Sequence, residues 1–164
     1  MSRKVCKITA LALSILVCSL SLITIENWGL VGAYTGCGPL RRAIYPFFHV
    51  NIIHAALNAW CLLSVVFIYN ITTWRILFAY IVALSIPNLF LSYTPTVGLS
   101  GVVFALFGSL SFEVGRKQYY QIWMGAYLVL GFLSPNTNAW IHLYCYVVGL
   151  AYALLLKPIK IKGE

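Results

Sequence analysis

The chain has 164 residues, of which 62% are hydrophobic and only 9% charged, and its mean hydropathy is +0.90. Soluble domains carry about 25% charged residues, so a soluble globular protein is excluded and an integral membrane protein is expected. A net charge of +8 would suit a nucleic-acid binder, but here the basic residues lie in short segments between apolar runs, where they set orientation. No nucleic-acid-binding motif accompanies them, and the length allows a single domain, 1–164.

A helix needs about 20 apolar residues to cross the hydrocarbon core. Six stretches qualify, which predicts an all-α membrane bundle of six transmembrane helices. The first, 8–25, follows Arg3, Lys4 and Lys7. Its basic start is like that of a signal peptide, yet Ile25-Glu26-Asn27-Trp28-Gly29 is a poor cleavage context, and the stretch is read as a retained helix. A loop carrying Cys37, Arg41 and Arg42 leads to the second, 47–69, which holds His49, His54 and Asn58 and is followed by Arg75. The third, 74–93, contains Pro87, which is expected to kink it. The fourth, 98–114, opens on Gly98-Leu99-Ser100-Gly101 and is followed by Arg116 and Lys117. The fifth, 119–134, and the sixth, 138–156, come next. His142 lies about one turn into the sixth, and Lys157, Lys160 and Lys162 follow it. The five cysteines have no CxxC spacing and imply no disulfide framework.

Nine of the eleven basic residues fall on one side of a six-span chain; only Arg41 and Arg42 fall on the other. The positive-inside rule therefore puts both termini in the cytoplasm. Spans two, four and six then run from outside to inside. His54, Asn58, Ser100 and His142 all lie in the outer leaflet, at comparable depth. Strongly polar groups inside a bilayer are costly and mark function.

A serine hydroxyl is a weak nucleophile until a neighbouring base takes its proton. The chain has no Asp, and its three Glu residues (Glu26, Glu113 and Glu164) lie at a loop, a cytoplasmic helix end and the C-terminus. A Ser-His-Asp triad is excluded, while a dyad of Ser100 and His142 is possible. His54 and Asn58, four apart, share a helix face and can donate to a developing oxyanion. The backbone N–H groups at the start of the fourth span also lack helical partners. Gly98 and Gly101 permit a tight turn and close backbone approach. Gly101, Ala105 and Gly108 form a small-residue stripe for helix packing, with Gly149 a matching position on the last span. Phe104, one turn below Ser100, is placed to stack on His142.

Each signal has a plainer reading. Ser100 can bond a backbone carbonyl, either histidine can be an interhelical hydrogen bond, and Asn58 can be interhelical glue. Arg41 and Arg42 read as solvated or snorkelling loop charges, and Glu113 with Arg116 and Lys117 as a helix-end cluster. His49 and His54 do not share a helical face and have no acidic or Cys partner, so no metal or other cofactor is expected. A transporter would need polar groups through the full depth or broken helices at the midplane, and the polar set here is confined to one leaflet.

Together, His49-Val50-Asn51-Ile52-Ile53-His54-Ala55-Ala56-Leu57-Asn58, Gly98-Leu99-Ser100-Gly101 and the late His142 followed by Gly149 resemble the rhomboid family of intramembrane serine proteases, across essentially the whole chain. The resemblance implies Ser100 as nucleophile and His142 as general base. It further implies an oxyanion hole of His54, Asn58 and the Ser100 backbone N–H, with His49 organising the first loop. It also implies substrates that are transmembrane or membrane-adjacent protein segments, reached laterally past a mobile fifth span. The chain departs from the family pattern at Leu40-Arg41, where a Trp-Arg pair is usual, at Phe104, often Tyr, and at Cys145, usually Gly. The Leu40 change bears on loop anchoring more than on catalysis. A catalytically inactive relative that binds transmembrane clients is the alternative, although inactive relatives usually lose the Ser or the base His. The short N-terminus without an Arg/Ser-rich transit peptide points to a bacterial cytoplasmic membrane.

Overall fold

The computed structural model describes residues 3–69, 71–135 and 137–156; the expected basic tail at Lys157, Lys160 and Lys162 lies outside them. Seven α-helices occur among the described residues: α1 Arg3–Leu20, α2 Pro39–Ile44, α3 Ile52–Ile68, α4 Thr73–Leu84, α5 Ser100–Ser109, α6 Lys117–Leu133 and α7 Ala139–Leu155. The six long ones occupy the six apolar stretches, and α2 sits in the first loop.

Helix ends differ from the hydropathy limits for local reasons. The second stretch is not helical from residue 47: Pro39–Phe47 and Ile52–Ile68 meet at 86°. Asn51 then caps α3, its side chain accepting the His54 N–H at 2.8 Å. Pro87 does not kink the third helix. α4 stops at Leu84, ahead of the residue before proline, which disfavours helical geometry. The fourth stretch keeps helix only from Ser100 to Ser109, because Gly98 has φ +132° and turns replace helix from Leu110. Among the described residues no single helix is long and apolar enough to cross a membrane; at 1.5 Å per residue, α5 spans only about 15 Å.

Small residues set the packing. Cys6, Ala10, Ser14 and Val17 form the buried face of α1, which lies against α3. α5 and α7 are the closest pair. A side chain on Gly108 would overlap the Tyr146 carbonyl, and one on Gly149 the Ala105 carbonyl, so the two backbones touch along the predicted small-residue stripe. α6 buries only Met124 and stands at the edge. Large apolar side chains project outward on most of the long helices, among them Ile53 and Trp60 on α3, Ile122 and Leu133 on α6 and Leu155 on α7. Water-soluble monomers rarely expose apolar surface on this scale.

The predicted Glu113–Arg116–Lys117 cluster is not what Glu113 makes. It pairs instead with Arg75 of α4, at 2.5 and 3.1 Å. The same guanidinium donates to the Ser109 carbonyl at 2.6 Å and lies over the Tyr152 ring. One cation thus joins α4, α5 and α7 at the end of the bundle remote from Ser100.

Candidate active site

The site is built on the turn before α5. Gly98 adopts a left-handed-side φ that side chains rarely accept. A β-carbon there would also sit 3.0 Å from His54 Cε1 and 3.2 Å from His54 Nε2. The Gly98 N–H donates to the Tyr45 carbonyl at 3.1 Å, and the Leu99 N–H to His49 Nε2 at 3.1 Å. The His49 and His54 rings meet edge to face, 5.0 Å between centroids. Both histidines therefore pack around the turn that presents Ser100, and neither is a helix-surface group.

Ser100 is the first residue of α5 and His142 the fourth of α7. Because the two helices run side by side in parallel, their backbone contact brings the first turns into register. Ser100 Oγ lies 2.8 Å from His142 Nε2. The imidazole stacks on Phe104, 4.4 Å between centroids and 14° between planes. On its other side Gly131 of α6 leaves the Nδ1 edge uncrowded, with a β-carbon there 3.7 Å away. A flat apolar ring, with no carboxylate partner among the described residues, holds the His142 imidazole in its plane.

The candidate oxyanion donors are placed unequally. The Ser100 N–H donates to none of the described residues, as expected at an uncapped helix start. The Leu99 N–H, expected to be equally free, is taken by His49. Asn58 is buried, and its amide donates to the His54 carbonyl one turn back at 3.0 Å. An amide has two donor hydrogens, so one remains. The structure brings Ser100, His142 and Phe104 into direct contact, and gathers His54, His49 and Gly98 around the adjoining turn. Gly101 faces Tyr45, Ile141 and Cys145.

The Rhomboid domain model matches residues 37–159. The chain belongs to the Rhomboid family. Rhomboid proteins are integral membrane proteins and generally serine proteases that act on transmembrane substrates, and the outward-facing apolar surface agrees with that setting. No curated protein and no solved structure matches the chain significantly. The rhomboid match begins just ahead of α2 and includes every residue of the candidate site; α1 lies outside it.

Sequence reasoning missed how the rhomboid's first loop is fastened. Arg42 is not a solvated charge: it donates to the Ile86 carbonyl at 2.5 Å and to the Asn88 side chain. Arg41 is engaged too, donating to the Tyr34 hydroxyl at 2.7 Å. Ala33 and Thr96 exchange two backbone hydrogen bonds of 2.9 Å, and Thr35 Oγ1 donates to the Leu91 carbonyl at 2.8 Å. Leu40, at the family's Trp position, is 72% exposed. Apart from the Arg41–Tyr34 bond inside the loop, these clamps bind the first loop to segment 85–99, which leads into Ser100. Except for Arg41 and Tyr34, seven residues apart, their partners lie tens of residues apart, so no local spacing announces them.

Proposed function

We propose that this rhomboid is an intramembrane serine endopeptidase that cleaves transmembrane or membrane-adjacent segments near the outer leaflet. In this reading six helices cross the bilayer with both termini cytoplasmic, and the site faces the extracytoplasmic side of a bacterial cytoplasmic membrane. The basic-residue asymmetry supports that orientation. The observation that carries the reading is the 2.8 Å contact between Ser100 Oγ and His142 Nε2.

Ser100 Oγ adds to the scissile carbonyl carbon as its proton passes to His142 Nε2. The tetrahedral oxyanion is met by the Ser100 N–H, with His54 and the second amide hydrogen of Asn58 as side-chain donors. Collapse breaks the C–N bond, and His142 returns the proton to the leaving amine. Water, deprotonated by the same imidazole, then hydrolyses the acyl ester and regenerates Ser100. Phe104 keeps the imidazole oriented, the part an aspartate plays in a triad. No metal or cofactor enters the scheme.

A fluorophosphonate probe on purified protein tests this. Wild type should label, Ser100→Ala should not, and His142→Ala should label far more slowly. Well-folded wild type that fails to label would sink the protease reading in favour of a client-binding rhomboid.

A further inference from the structure

Tyr45 is one of the largest fully buried side chains, 2% exposed, and it touches the nucleophile's turn from both sides. Its carbonyl accepts the Gly98 N–H at 3.1 Å, two residues before Ser100. Its hydroxyl lies 3.2 Å from where a β-carbon on Gly101 would be, one residue after Ser100. The same hydroxyl donates to the Ala83 carbonyl at 3.1 Å. That carbonyl is in the last turn of α4, where helical acceptors have no partner of their own, so the hydroxyl is held in place by a buried group that needs it.

We infer that Tyr45 is a positioning residue: its backbone carbonyl holds the Gly98 turn while its ring hydroxyl holds the α4 end and abuts the first turn of α5, and so it sets the distance from Ser100 Oγ to His142. The inference rests on the protease reading above. Gly98 has a backbone φ open to many alternatives, and α5 begins without a side-chain cap. Neither feature fixes Ser100 alone. Tyr45 supplies the missing constraint, because its backbone carbonyl and its ring hydroxyl bracket Ser100 along the chain. A displacement of about 1 Å in such a group is enough to lower a rate about a hundredfold.

The test compares Tyr45→Phe with Tyr80→Phe. Tyr80 also spends its hydroxyl on a carbonyl of this region, Ala43, at 2.7 Å, but makes no hydrogen bond to the Gly98–Gly101 turn. In full-length protein, Tyr45→Phe should lower the maximal inactivation rate by a fluorophosphonate about tenfold or more. The probe concentration giving half that rate should stay unchanged. Tyr80→Phe should stay within about twofold of wild type at a similar loss of thermal stability. Gly101→Ala crowds the same hydroxyl from α5 and should also slow inactivation. The Tyr45→Phe/Gly101→Ala double variant should be faster than the product of the two single effects, since the crowded oxygen is gone. If Tyr45→Phe does not fold, Gly101→Ala is read in an Ile141→Ala/Cys145→Ala background, which removes its α7 obstacles: slowing that persists in folded protein carries the inference, and its absence overturns it. Equal slowing by Tyr45→Phe and Tyr80→Phe, or none by Tyr45→Phe, also overturns it. Wild type that does not label removes the protease reading and this role together, whereas labelled wild type with an unaffected Tyr45→Phe removes only this role.

Discussion

Gly149 of α7 and Ala105 of α5 are in backbone contact, with no room for a methyl group between the helices. A β-carbon on the neighbouring Gly108 would overlap the Tyr146 carbonyl oxygen and lie 2.8 Å from the Leu150 nitrogen. Because Ser100 and His142 open these same two helices, their contact depends on this close approach some turns away.

Gly149→Ala should therefore destabilise the fold by about 1–3 kcal/mol or more, since the obstacle is backbone and cannot rotate away. Its labelling rate should fall as well, because separated helices pull the His142 imidazole from the Ser100 hydroxyl. Gly125→Ala is the control: nothing lies within 4 Å of a β-carbon there, and removing a helical glycine gains roughly 0.5–1 kcal/mol. Denaturation midpoints in one detergent compare the two, and equal midpoints would refute the packing account.

Gly98→Ala combines a positive φ with a contact 3.0 Å from the His54 ring. Relief of either strain shifts the turn carrying Ser100 or moves a candidate oxyanion donor. Probe labelling should drop about a hundredfold, more steeply than thermal stability. Retained labelling would mean that the turn tolerates another geometry.

Asn58→Ala should lower turnover of a transmembrane substrate about 10²-fold with little change in KM, the signature of a donor acting in the transition state. The Ser100–His142 contact lies on other helices and should persist, so the serine remains present. Unchanged turnover would confine Asn58 to its bond with the His54 carbonyl.

Glu113→Gln should destabilise the bundle by roughly 1–2 kcal/mol. It leaves the buried Arg75 guanidinium with the Ser109 carbonyl in place of a paired carboxylate. The loss stays below that of a fully buried pair, because Glu113 is 47% exposed while Arg75 is 10% exposed. Arg116→Gln should change nothing comparable, and an equal loss would restore the helix-end cluster expected from local spacing.

Periodic and compositional signals were legible along the chain. Apolar length placed the six long helices, and the glycine-alanine stripe identified the face on which α5 meets α7. Ser100, His142 and Phe104 were selected because strongly polar groups, or rings one turn from them, stand out against hydrocarbon. Helix ends were less legible. Pro87 carries an unambiguous local preference, yet whether it bends a helix or ends one depends on what the freed chain can bind next. Here that is Arg42, from the first loop.

The amino-acid order by itself determined that this protein shuns water and that a hydroxyl and an imidazole sit early in separate apolar stretches, because hydrophobicity and side-chain chemistry are properties of single residues and short windows. Only the tertiary structure decided that Arg75 meets Glu113, that His49 takes the Leu99 N–H, and that Tyr45 brackets Ser100. Each of these joins groups more than thirty residues apart. Such pairs form where packed helices and turns happen to leave a donor facing an acceptor, a condition that no local pattern encodes.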